Sequence, residues 1–190
     1  DFQRAAELSN SGPYLYAYGA ALMRCNRPDE AAEHFRRAVE RLEDPSAALV
    51  SLGNIARSRS RARRAMEYYA RALRVAPRES PLAANNLAAL MLDAYEDPPV
   101  ALGLAMHAYF GSSPGYLKTA SADTLAEALI RTGYPARAVH PARQVVRKLP
   151  EVQECQLRLG IAEAAAGNTA SAREAFGKTI ELDAETPVGR

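Results

Sequence analysis

The segments LVSLGNIA (residues 49–56) and AMEYYARALRVAP (residues 65–77) decide the fold. In the first, Leu49, Leu52, Gly53 and Ala56 recur at three- and four-residue intervals, and in the second so do Ala65, Tyr69 and Ala72. That spacing lines up one face of a helix, twice, with a break between. The pattern also stands 34 residues earlier: Gly19 precedes Gly53, Ala31 precedes Ala65, Phe35 precedes Tyr69 and Ala38 precedes Ala72 by that one offset. In the second half Ala126 and Gly160, Gly133 and Gly167, and Ala138 and Ala172 are again 34 apart. A fixed period of this length marks an array of stacked units rather than one globular core.

The middle copy is less regular, with Ala88 falling 35 residues after Gly53 and Ala126 falling 38 after Ala88. The extra residues are expected in GSSPG, residues 111–115, which has strong turn chemistry and where added length costs little. Five copies are expected within one array spanning 1–190, at about 12–45, 46–79, 81–114, 119–152 and 153–186. Phe2, Ala5 and Leu8 fit the second helix of a preceding, truncated copy in residues 1–10, and Asp1 in place of Met agrees with a cut into a longer protein. Ser80 before Pro81 and Asp97 before Pro98 set a capping side chain ahead of proline at a helix start. Gly133 and Gly167 stand where the first helix of a copy must stop. No useful length alternates with period two, so the fold is expected to be all-α.

The small residues have a packing purpose. Gly19, Gly53, Ala88, Ala126 and Gly160 on first helices, answered by Ala31, Ala65, Ala101, Ala138 and Ala172 on second helices, let two antiparallel helices approach closely. Phe35, Tyr69 and Phe176 are expected to fill the groove between neighbouring copies, with thinner contacts at Ala105 and Ala142. Such units are stabilised by nearest-neighbour interfaces, so Ala175 and Phe176 of the last copy, with no extra helix to cover them before the closing ETPVGR, are expected to pack on further repeats of a parent protein or to make the fragment self-associate through its ends.

Composition excludes several classes. With 48% hydrophobic and 24% charged residues the chain folds, and a net charge of +2 gives no whole-molecule field toward nucleic acid or an anionic membrane. Lysine is confined to Lys118, Lys148 and Lys178, an arginine bias expected of a GC-rich bacterial genome, with cytoplasm and periplasm both open. Cys25 and Cys155 are too few for a disulfide framework and are expected as buried small hydrophobes. His34, His107 and His140 lie on different second helices without ligand-spaced partners, so no metal or other cofactor is expected. There is no nucleophile with a base, no phosphate-cradling glycine loop and no run long enough to insert directly in a membrane. A catalytic role is not expected.

The repeated signature resembles the tetratricopeptide repeat family over essentially the whole chain. The second copy matches best, through Leu52, Gly53, Ala65, Tyr69, Ala72 and Pro77. An early aromatic position is instead Leu15, Leu49, Ala84, Ala122 and Gln156 in the five copies. The resemblance implies an α-solenoid, a right-handed superhelix of antiparallel helix pairs whose concave face, lined by first helices, receives a peptide or a partner protein.

Projecting the first helices places Tyr16, Val50, Asn54, Asn86, Glu127 and Arg158 on that face, with Ala20, Ala89, Asp123, Thr124, Leu157 and Ile161 around them. Asn54 and Asn86 carry amides that both donate and accept, suited to gripping an extended backbone, or are ordinary polar groups on a solvated surface. Family members that clamp acidic chaperone tails add three cations, and here those places are Val50, Ala120 and Thr124. Chaperone-tail binding is therefore not expected. The run RSRSRARR, residues 57–64, makes a possible basic edge of Arg57, Arg59, Arg61, Arg63 and Arg64, or else a solvated turn near Asp29, Glu30 and Glu33. It has no interleaved aromatics, and nucleic acid binding is not expected. The function expected is a protein-interaction scaffold. The alternative is a recruiting segment of a multidomain enzyme or of an export machine, since NNLAALMLDA and ADTLAEALIRTG look like repeats of periplasmic exopolysaccharide-export scaffolds.

Overall fold

The computed structural model describes residues 10–94 and 97–185. Phe2, Ala5 and Leu8 and the closing residues 186–190 lie outside them. Among the described residues there are ten α-helices, one 3-10 turn and no strand. In order these are α1 (Gly12–Arg24), α2 (Pro28–Val39), α3 (Ser46–Ser58), α4 (Ala62–Val75), α5 (Pro81–Asp93), α6 (Pro98–Gly111), α7 (Tyr116–Arg131), the 3-10 turn (Pro135–Ala138), α8 (Val139–Val146), α9 (Gln153–Ala165) and α10 (Thr169–Glu185). None is long and apolar enough to cross a membrane. Two compact units divide inside α5, one ending at Leu90 and the other beginning at Met91. In the first, α1 packs on α2, α2 on α3 and α3 on α4; in the second, α6 packs on α7, α7 on α8, α8 on α9 and α9 on α10.

Four first helices end by the same device. The residue after the cap is left-handed, at φ 56° for Asn26 and Ser60, 82° for Gly133 and 80° for Gly167. The following amide then reaches back five residues: Arg27 N donates to Leu22 O at 3.0 Å, Arg61 N to Ala56 O at 2.9 Å, Tyr134 N to Leu129 O at 2.8 Å and Asn168 N to Glu163 O at 2.9 Å. This bond satisfies an end carbonyl and turns the chain sharply enough to send α2, α4, α8 and α10 back along their partners. Asp97 starts α6 as its sequence suggests, its carboxylate accepting from Val100 N at 3.2 Å.

The glycines and aromatics interlock within a pair, not between neighbouring pairs as expected from the sequence. A Cβ added at Gly19 would come within 2.8 Å of the Phe35 ring, and one at Gly160 within 2.5 Å of the Phe176 ring; one at Gly53 would collide with the Tyr69 ring. The aromatic thus lies flat against the glycine of its own first helix, which is why glycine and aromatic share one period. Ala31, Ala65 and Ala38 are fully buried beside them.

The fourth pair has no such lock. Its second helix opens as a 3-10 turn because Pro141 has no N–H for the carbonyl four residues back and its ring crowds that carbonyl. Cys155 is buried, but Cys25, expected to be buried too, is exposed, because it caps the end of α1 rather than facing α2.

Candidate functional site

In the first unit the asparagines form a row. Asn54 Oδ1 on α3 accepts from the Tyr69 hydroxyl at 2.7 Å and from Asn86 Nδ2 at 3.1 Å, while Asn85 Nδ2 donates to Asn86 Oδ1 at 3.5 Å. The structure thus brings Asn54 and Asn86 together. It also buries Asn86 to 6% exposure, where the sequence reading treated both as exposed, because α5 turns that side chain toward α3. Asn54 stays half-buried, and its amide nitrogen has no partner among the described residues. Asn85 Oδ1 is buried without a partner. Burial pushes the Tyr69 hydroxyl above its ordinary pKa, against a weaker pull downward from the Arg57 charge and the Asn86 hydrogen bond, so at neutral pH it stays a donor. Nothing in the sequence distinguished this phenol from a purely packing aromatic. The only signal was Tyr69 standing 15 residues from Asn54 in a copy whose helices run antiparallel.

The second unit brings Glu127 and Arg158 together in a charged cluster. Arg158 Nη1 donates to Asp123 Oδ1 at 2.7 Å and Nη2 to Glu127 Oε2 at 3.3 Å; Arg131 Nη2 meets Glu127 Oε1 at 2.6 Å and its Nη1 donates to Leu92 O at 2.5 Å. Arg131 was missed by the sequence reading because it closes α7, one turn beyond the projected face. Burial raises the Asp123 carboxyl above the usual range; Arg158 pulls it back and Glu127 pushes it further up. The neighbouring Cys155 thiol, 3.9 Å from Asp123 Oδ1, is pushed up to about 11 by its burial and then by the Asp123 charge.

The other expected residues are less available. Val50 is buried in the core, and Tyr16 packs its ring 5.6 Å from that of Phe35. Of the basic run, Arg57, Arg61, Arg63 and Arg64 are exposed, whereas Arg59 pairs with Asp29 of the preceding pair at 2.5 Å. Part of the edge is therefore already matched by an acid of the chain itself.

A further buried charge was not foreseen. Glu163 on α9 is 1% exposed, its Oε1 accepting from Arg143 Nε at 2.6 Å and its Oε2 from Asn168 Nδ2 at 2.7 Å. Burial alone would raise this carboxyl, but the two hydrogen bonds and the Arg143 charge outweigh it and hold it below the ordinary glutamate range. Among the described residues no group of three or more acidic, histidine or cysteine side chains could hold a metal ion.

The sequence pattern of the tetratricopeptide repeat matches residues 16–84 and 124–187. No curated protein matches. Solved structures with similar folds include YrrB, a tetratricopeptide repeat protein with an unusual peptide-binding site, at 17% identity and a TM-score of 0.76, covering 97% of this chain and 93% of that one. A double mutant of MamA RS-1 is 16% identical with a TM-score of 0.71, covering 94% and 97%. MamA from Desulfovibrio magneticus RS-1, from residue 41 to its end, is 16% identical with a TM-score of 0.69, covering 93% and 97%. At these identities the likeness establishes the fold, the all-α solenoid of antiparallel helix pairs read from the sequence.

Proposed function

The chain belongs to the tetratricopeptide repeat family, and from that premise we propose that it is an interaction scaffold whose first-helix side chains grip an extended segment of a partner protein. The observation that carries this reading is Asn54. Its amide oxygen is fixed by Tyr69 and Asn86, which leaves the two amide hydrogens aimed and uncommitted. A donor held in place before binding gives up less freedom when a peptide carbonyl arrives. The peptide-binding site of YrrB supports the same class of ligand. In the second unit the Arg158 cluster offers a charged surface whose acids and bases are already matched, so it would set selectivity more than affinity.

Panning a display library of random peptides against the whole chain, followed by titration calorimetry, tests this. Asn54→Ala is expected to weaken the selected peptides by about 1–3 kcal/mol. Joint replacement of Arg57, Arg61 and Arg64 by Gln is expected to alter chiefly the salt dependence and association rate. Unchanged affinity in the Asn54 variant, with loss in the arginine variant, would move the site to the basic edge.

A further inference from the structure

The groove between consecutive second helices is built twice, and only one of the two is closed. In the first unit it lies between α2 and α4 over α3, and in the second between α8 and α10 over α9. Corresponding residues stand 107 positions apart: Leu52 and Leu159 on the floor, Ala56 and Glu163 beyond them, Tyr68 and Ala175 on the wall. In the first unit the Tyr68 ring packs against the buried cluster that contains Ala32, Leu52 and Ile55. The space left over is about 30 Å³, one water's share of volume. In the second unit Ala175 supplies no ring, and the cavity is about 680 Å³, within the range of ligand sites.

We infer that the α8–α10 groove takes an aromatic side chain of a partner polypeptide, seated where Tyr68 seats its own ring in the equivalent groove. The chain itself supplies the evidence for the occupant. The corresponding groove, with the same leucine floor, already holds a phenol in the first unit. Three further features of the open groove fit such a guest. Val146, Leu159 and Ala175 give the ring an apolar bed. The charge on the floor is compensated, since Glu163 is bonded by Arg143 and Asn168, so a ring entering there meets no unpaired carboxylate. Arg143 lines the cavity and its Nη nitrogens have no partner among the described residues, which leaves a planar donor for a main-chain carbonyl of the guest segment. The site shares no residue with the Asn54 surface, so the two readings stand or fall separately.

The test follows amide shifts of the ¹⁵N-labelled whole chain on titration with N-acetyl-Ala-Tyr-Ala amide and with N-acetyl-Ala-Ala-Ala amide. Shifts are expected at Arg143, Ser171, Ala175 and Gly177 with the tyrosine peptide and not with the alanine peptide. Ala175→Tyr, which fills the groove as Tyr68 does, is expected to weaken that binding roughly tenfold or more. Because Ala175 is buried, Gly177→Phe serves as a second block from the rim, where an added side chain has open space. Tyr68→Ala is expected to open the first groove and add a second set of shifts at Leu52, Ala56 and Arg64. The inference fails if the shifts fall elsewhere or survive both blocks. It also fails if p-cresol binds as well as the peptide, which would make the ligand a free aryl compound. Concentration-dependent broadening without any peptide, abolished by Gly177→Phe, would overturn it in favour of a second copy as the occupant.

Discussion

The first-helix surfaces of the two units solve one problem with opposite chemistry. On α3 and α5 the polar groups are neutral amides anchored to a phenol, and on α7 and α9 they are two carboxylates and two guanidiniums. The neutral row fixes a donor without any titratable member near its ordinary range, because burial holds the phenol protonated. The charged cluster is held by mutual compensation, and one member, Asp123, is shifted by its burial. The contrast teaches that one repeat skeleton can carry a pH-indifferent surface and a pH-responsive one, since most skeleton residues lie on the faces between paired helices and Tyr69 reaches the surface row only through its hydroxyl.

The hardest way to break this contrast is to remove the anchor. Tyr69→Ala takes away a fully buried ring pressed on Gly53 and leaves Asn54 and Asn86 without their fixed neighbour; denaturant unfolding is expected to show a loss of about 3–5 kcal/mol. A loss below about 1 kcal/mol would mean that the ring does not lock the pair. Tyr69→Phe sharpens the point by keeping the ring and deleting only the hydroxyl on Asn54, with an expected cost of about 1 kcal/mol and an unchanged denaturant slope.

The smallest effect is one of slope. The folded Asp123 has a raised pKa, so just above the ordinary aspartate range the folded state binds more protons than the unfolded one, and this residue's contribution rises as pH falls through that window. Glu163 has the opposite sign: its stabilisation is present above the ordinary glutamate range and is lost as pH falls through its lowered folded pKa. Unfolding measured from about pH 3 to 7 is expected to change slope in opposite directions for Asp123→Asn and Glu163→Gln, and not at all for Asn54→Ala. Equal slopes in all three would dissolve the distinction between the two surfaces.

Most of the fold was legible because its code is periodic. Gly53 with Tyr69, and Gly19 with Phe35, repeat at 34 residues since each pair must bring a ring against a missing side chain, and the stops at Gly133 and Gly167 follow from the left-handed turn they make. The same stop at Asn26 and Ser60 was hidden, because neither residue announces a positive φ as glycine does. The site was legible only as a face. That Asn54 and Asn86 share a surface follows from helix period, but that Asn86 is buried, that Tyr69 bonds Asn54 and that Arg131 joins Glu127 depend on helix rotation and on contacts between elements. Glu163 was invisible for the same reason: a lone glutamate on a helix carries no mark of the arginine and asparagine that will enclose it.

The unequal placement of the two cysteines gives the molecule a natural address for chemistry. Cys25 lies in the open at the end of α1, while the Cys155 thiol, enclosed and held protonated to about pH 11, offers almost no thiolate at neutral pH. A maleimide dye added to the native protein therefore settles on one defined point. That makes the unmodified chain its own single-site fluorescent sensor, ready to report the arrival of a partner on the first pair of helices without an engineered tag.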